Sequence, residues 1–310
     1  MILTITMNPS IDISYPLEKF NLNTVNRISE PLKTPGGKGL NVTRILKQIG
    51  NDVLASGLIG GFSGKDIQSR LNSKKIKHSF FEISGETRNC IAILHEGNQT
   101  EILESGPTVT SGESDGFLKH LKKLLSEISV VTISGSLPKG IEKDFYTKII
   151  KICNEYNKST ILDCSGEALT SVLKSPYKPK VIKPNAEELS LLVNKKISQN
   201  SVELKNILSN SFFSGIEWII VSLGKNGCFA RHHDKFYKVN IPQIKAVNPV
   251  GSGDATVAGI ASALETGKND RELLKIGNTL GILNAMEKMT GYVDIEKYDD
   301  VFNNIQISEI

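Results

Sequence analysis

A chain of 310 residues buries roughly three quarters of the surface it exposes when unfolded, so it needs neither disulfides nor a structural metal to hold a core. Its 39% hydrophobic and 23% charged residues, with 26 Gly and 11 Pro, exclude disorder and a collagen-like repeat. A net charge of +4 is too small over this length for a nucleic-acid or membrane footprint, and suits a small anionic substrate instead.

Cys90, Cys153, Cys164 and Cys228 lie far apart, with no pair at zinc-ligand or redox spacing, which reads as buried thiols in a reducing compartment. No apolar run approaches the roughly 18 residues of a membrane span, and the first residues lack the pattern of a signal peptide. The expectation is a cytoplasmic chain.

Residues 1–7, rich in Ile, Leu and Thr, run into Asn8-Pro9-Ser10 as a buried strand runs into a loop. Residues 11–35 carry no helical pattern, whereas 42–49 do. Residues 87–104 read as two strands, 90–95 and 100–104, around a turn at Glu96-Gly97-Asn98-Gln99. Phe117, Leu118, Leu121, Leu124, Leu125 and Ile128 then make one apolar helix face in a Lys-rich stretch. Short β-branched runs follow at 130–134, 160–163, 181–183 and 218–222, nearly continuous in apolarity, as central parallel strands are. Amphipathic segments over 145–156, 187–193, 202–212, 256–264 and 273–286 separate and follow them. The alternation predicts an α/β fold, a doubly wound and mostly parallel sheet sandwiched by helices. The two interruptions are most economically one discontinuous small β lid, residues 11–35 and 87–104, on a large domain of residues 1–10, 36–86 and 105–310. The small sheet's apolar faces suggest pairing between protomers, hence a homodimer through the lid.

The strongest motif is Asn248-Pro249-Val250-Gly251-Ser252-Gly253-Asp254-Ala255-Thr256, opening an apolar helix. Free amides and the positive end of the helix dipole make such a turn an anion site, and glycine lets the backbone approach closely. Asp254 beside it suits a general base for phosphoryl transfer. Equally, Asp254 caps the helix and the glycines make a turn. Pro35-Gly36-Gly37-Lys38-Gly39-Leu40-Asn41 is no Walker A loop, because that motif needs Ser or Thr directly after Gly-Lys, and here Gly39 follows Lys38 with Leu40 two residues on. It reads either as a ligand loop holding one cation, with Asn41 offering donor and acceptor, or as a tight turn. Residues 60–66 fail the same test, and Gly-x-Gly-x-x-Gly occurs nowhere.

Asp12 stands just beyond the first strand, where open α/β sheets bind ligands, or is a turn aspartate. Arg88 at the lid's start would clamp a phosphate or sit in a surface ion pair. Lys183-Pro184-Asn185-Ala186-Glu187-Glu188 is good capping chemistry, with Asn185 and Glu188 alternatively orienting water around Mg²⁺. Ser222-Leu223-Gly224-Lys225-Asn226-Gly227 is a hairpin loop or a strand end touching a nucleotide. The histidines are not spaced as a metal site, and His232-His233 reads as a surface pair.

In order and setting these motifs, with Ser134-Gly135-Ser136-Leu137-Pro138, resemble the ribokinase-like carbohydrate kinases of the PfkB family over essentially the whole chain. The Gly-Gly-Lys-Gly-x-Asn loop looks like the branch acting on phosphorylated ketohexoses. The resemblance implies MgATP-dependent phosphorylation of a sugar phosphate. It assigns Asp254 as general base and Gly251, Ser252 and Gly253 as the anion hole. Asp12, Gly37 and Asn41 would bind the sugar, and Lys38 and Arg88, helped by Ser136, its phosphate. Lys183, Asn185, Ser222, Gly224, Gly227, Asn248 and Val250 would line the ATP site, Asn278 would lie near the adenine, and Asn185 and Glu188 would influence Mg²⁺ through water. Many relatives carry Asp-Thr where this chain has Asn248-Pro249, which leaves a monovalent cation open.

Overall fold

The computed structural model describes all 310 residues. The strand Ile2–Thr6 lies centrally in an eleven-stranded sheet, between Val53–Ile59 and Val130–Ser134. Ser159–Asp163, Val181–Ile182 and Trp218–Ser222 follow, all parallel. Alternate residues of these strands point to opposite sides. Leu3, Ile5, Val131, Ile133, Leu162, Ile182 and Ile219 enter one core of 34 buried residues. Ile2, Val130, Ile161, Val181, Trp218 and Ile220 enter another of 28. Helices cover both faces, which is why the strands read as continuously apolar.

Beyond Trp218–Ser222 the sheet turns antiparallel through Cys228–His232, Lys235–Asn240 and Gln306–Glu309. His232 is not the surface residue its sequence suggests. Its ring stacks on Trp218 at 4.1 Å and its Nδ1 lies 2.8 Å from Asp270 Oδ2, so only His233 of the pair is exposed. Cys153, Cys164 and Cys228 are buried free thiols, and Cys90 is half-buried. No helix is long and apolar enough to cross a membrane.

A second sheet has four strands in the order Leu32–Gly36, Ser10–Leu17, Arg88–His95, Asn98–Leu103. Its hairpin is tighter than the sequence suggests. Only Glu96 and Gly97 link the strands, with φ of 50° and 75°, the left-handed pair whose twist matches a two-residue hairpin. One face of this sheet packs Ile11 and Ile13 on Ile67 and Leu71 of the helix Gly61–Ser73. That helix has no predicted counterpart, because its buried stripe is only Gly64, Ile67 and Leu71. The opposite face brings Asp12, Cys90 and Thr34 into register and looks toward the ends of the parallel strands.

Candidate active site

A cavity of about 510 Å³ lies under that face, bounded by the beginnings of three helices and by the C-terminal ends of the parallel strands, where open α/β sheets place ligands. Its volume suits a small-molecule site. Asp12, Gly37, Lys38, Asn41, Arg88, Lys183, Asn185, Glu188, Ser222, Asn248, Val250, Gly251, Gly253 and Asp254 all line it. Residues far apart in sequence therefore converge.

The helix Ser252–Glu265 begins at Gly251, whose φ of 83° is left-handed and favours glycine. In its first turn the amides of Gly251, Gly253 and Asp254 have no partner within the chain, as helix starts leave them. The Ser252 amide is instead taken by Pro249 O at 3.2 Å, so it is a poorer donor than its two neighbours. Asp254 is 5% exposed. Its Oδ2 accepts from Asn41 Nδ2 at 2.8 Å, and its Oδ1 accepts nothing. Burial first, then the charge of Asp163, push its carboxyl up to about 7 against the pull of Lys38, Asn41 and Lys183.

Asp163 ends the strand Ser159–Asp163 and is 2% exposed. It holds Lys183 Nζ at 3.3 Å on one oxygen and Lys38 Nζ at 3.4 Å on the other. Burial would raise this carboxyl, but the two lysines outweigh it and hold it below its ordinary value. Lys38 keeps its proton firmly, chiefly because of Asp163. One buried carboxylate thus spaces two cations along the cavity floor.

On the overhanging sheet, Asp12 receives Ser10 Oγ at 2.6 Å, and burial raises its carboxyl against that bond and the charges of Arg44 and Arg88. A Cβ on Gly36 would fall 1.9 Å from Asp12 Oδ1, so the glycine before the lysine loop makes room for the aspartate. Arg88 donates to Asn8 O at 3.0 Å and Glu104 O at 2.9 Å. It is in no ion pair, so its charge is available to an anion.

Asn185 and Glu188 form a capping box on the helix Ala186–Leu192. It uses Asn185 Oδ1 and Glu188 Oε2, leaving Glu188 Oε1 without a partner. Asn248 Oδ1 accepts from Val250 N at 3.0 Å while its Nδ2 donates to Lys288 O at 3.1 Å, so its amide ties the turn to the loop after the last long helix. Ser136, Ser252, Gly224, Gly227 and Asn278 are not among the lining residues. Ser136 is exposed, and Asn278 Nδ2 is engaged by Leu274 O at 2.8 Å.

Sequence reasoning missed Asp163 and Arg44. Asp163 carried a usable signal, an aspartate closing a buried parallel strand. Arg44, 4% exposed, sits among the apolar positions of the helix Lys38–Gln48, where an arginine is rare unless it is engaged.

Comparison with known proteins gives this geometry its context. The chain is 57% identical, over all 310 residues and the full length of the relative, to tagatose-6-phosphate kinase of Staphylococcus epidermidis. The structure of phosphofructokinase-2 from Escherichia coli in complex with potassium superposes with a TM-score of 0.91 at 26% identity, over 97% of this chain and 98% of that one. The tetrameric inhibited form of the same enzyme gives 0.88 at 25% identity over the same shares. Residues 5–297 match the pfkB family carbohydrate kinases. Free amides at a helix start beside a buried carboxylate, with cations spaced across a cavity, suit phosphoryl transfer; by these matches, the chain belongs to the pfkB family and is an ATP-dependent sugar kinase.

Proposed function

We propose that this kinase transfers the γ-phosphoryl group of ATP to the C1 hydroxyl of D-tagatose 6-phosphate, giving D-tagatose 1,6-bisphosphate and ADP. The observation that carries the reading is Asp254: a buried carboxylate with one oxygen bonded and one open to the cavity, directly behind two unpartnered glycine amides. Full-length likeness to a tagatose-6-phosphate kinase supports the substrate.

In this mechanism Asp254 Oδ1 accepts the C1 hydroxyl proton as the oxygen bonds to phosphorus and the bond from phosphorus to ADP breaks. The amides at Gly251 and Gly253 hold the charge on the transferred group, with Ser252 secondary. Asp12, Gly37 and Asn41 hold the sugar. Lys38 and Arg88, helped by the exposed Ser136, neutralise its phosphate and offset repulsion from the nucleotide. ATP supplies the phosphoryl group and is held by Lys183, Asn185, Ser222, Asn248 and Val250, with Gly224, Gly227 and Asn278 beyond the cavity rim. The unpartnered Glu188 Oε1 suits Mg²⁺ bound through water, which that ion favours. At the position where a carboxylate would support a monovalent cation, Asn248 donates to a carbonyl, so potassium is not required in this reading.

The second sheet acts as a lid that excludes water before transfer. Leu32, Ile102 and Leu103 on it are 48%, 56% and 59% exposed, and pairing them between two copies makes a homodimer whose mass sedimentation would report. Turnover on D-tagatose 6-phosphate, D-fructose 6-phosphate and D-fructose 1-phosphate tests the substrate. The highest kcat/KM is expected on the first. A fructose phosphate preferred at least tenfold would move the assignment to a phosphofructokinase, and no ADP release with any of them would leave a sensor on a kinase scaffold.

A further inference from the structure

We propose that Arg44 is a positioning residue that fixes, through Asn41, which oxygen of Asp254 takes the substrate proton; the proposal rests on Asp254 being the base. Arg44 lies three residues after Asn41 on the helix Lys38–Gln48, the spacing that places two side chains on one face. Its Nη2 donates to Asn41 Oδ1 at 2.5 Å and to Thr290 O at 2.9 Å. Asn41 Nδ2 donates in turn to Asp254 Oδ2 at 2.8 Å.

The chemistry of the three groups dictates the direction of this chain. An asparagine amide has a donor end and an acceptor end, and either can face a neighbour. A guanidinium has only donors. Arg44 therefore obliges the oxygen of Asn41 to face it and the NH₂ to face Asp254. That occupies Oδ2 and leaves Oδ1 as the open acceptor on the cavity side. Without Arg44 the oxygen of Asn41 loses its partner, so the amide can turn away from Asp254 and let the base rotate.

Arg44 is itself held from outside the helix. Thr290 O comes from the loop after the helix Asp270–Ala285, and Gln48, one turn on, donates to Gly291 O at 3.0 Å in the same loop. The guanidinium has no ion-pair partner, and its Nε has no hydrogen-bond partner. A buried charge so placed costs stability, and the bonds it does make run toward Asn41 and the loop, not toward a counterion.

The test is a double-mutant cycle on kcat. Arg44→Met should lower kcat about 10²-fold, the scale of a misplaced reacting group, with KM for ATP unchanged within about twofold. In an Asn41→Leu background the same substitution should cost less than about threefold more, because the path through Asn41 is already cut. Arg44→Lys keeps a buried donor with one anchor fewer and should lose about tenfold, which covers the case in which the Met variant fails to fold. Losses that multiply across the cycle, or a kcat within about threefold of normal for either Arg44 variant, overturn the proposal and leave the base untouched. A near-normal kcat for Asp254→Asn overturns the base and this proposal with it.

Discussion

On the floor of the cavity Asn41, Lys183 and Asp254, with Arg44 and Asp163 behind them, are each 6% exposed or less, and each is bonded to another of the five. On the sheet above, every residue of Asn98–Leu103 is exposed and Arg88 rests on two backbone carbonyls. A buried polar group without its partner costs about 1–3 kcal/mol, so the floor tolerates few arrangements. The roof can move at little expense, since exposed groups trade their partners for water. In the proposed mechanism, reaction chemistry therefore belongs to the floor, and capture and release to the roof.

The sharpest contrast within the floor is between two buried aspartates. Asp163 has two lysines and stays ionised; Asp254 has one amide, and its carboxyl is pushed up to about 7. In the proposed mechanism the first spaces two cations and the second exchanges a proton. Asp254→Asn should break this contrast most severely. We expect kcat to fall by about 10² to 10⁴, the range for a lost general base, with ATP affinity retained in equilibrium binding. Thermal stability at pH 8 should rise in the same variant. The folded carboxyl binds its proton up to about 7 while the unfolded one ionises near 4, so its contribution to stability falls as pH rises through that window. A melting temperature that drops at pH 8 would mean that the carboxylate is a structural partner and not a strained base.

How much of this was readable in advance follows the same division. Gly251, Gly253 and Asp254 stand out as a glycine-rich opening of an apolar helix, a pattern that equally suits a turn and a cap until the fold sets it beside Lys38 and Asn41, and the parallel strands stand out by their β-branched runs. The Lys38–Asp163–Lys183 arrangement spans three elements, and nothing in the local pattern of 160–163 says that two cations will meet there. Arg44 is similarly hidden, because its partner Thr290 lies 246 positions along the chain. The helix Gly61–Ser73 begins in a glycine cluster that looks like a loop, and its packing under the second sheet decides its structure. Residues 228–240 supply the opposite lesson. Alternation predicts the parallel part of the sheet, but the antiparallel edge follows from a short connection after Ser222.

Asp163→Asn should have the next largest effect. Two buried or half-buried ammonium groups would lose their shared carboxylate, and breaking a buried pair typically costs about 3–5 kcal/mol. A lowered melting temperature reads this directly. The pH profile carries a second signature. Asp254 is faced by Asp163, Lys38, Lys183 and, through Asn41, Arg44, and Asp163 is the charge among them that raises its carboxyl. With Asp163 neutral, the rise of kcat with pH should move below about 7. If the limb stays in place, the raised carboxyl owes nothing to its neighbour and burial alone explains it.

Lys38→Ala is the mildest of the three because Lys38 is 42% exposed at its side chain and stands at the rim between floor and roof. Its ion pair to Asp163 is long at 3.4 Å, so the lysine can swing toward an incoming phosphate while Lys183 keeps Asp163 satisfied. Losing a charged hydrogen bond to that phosphate should cost about 1.5–3 kcal/mol, seen as a higher KM for the sugar phosphate with KM for ATP nearly unchanged. Arg88 would still hold the phosphate from the roof, which keeps the loss partial. The split between the two KM values is the informative readout. A loss falling on ATP would place Lys38 on the nucleotide side of the floor beside Lys183, and the sugar phosphate would then be held by the movable sheet alone.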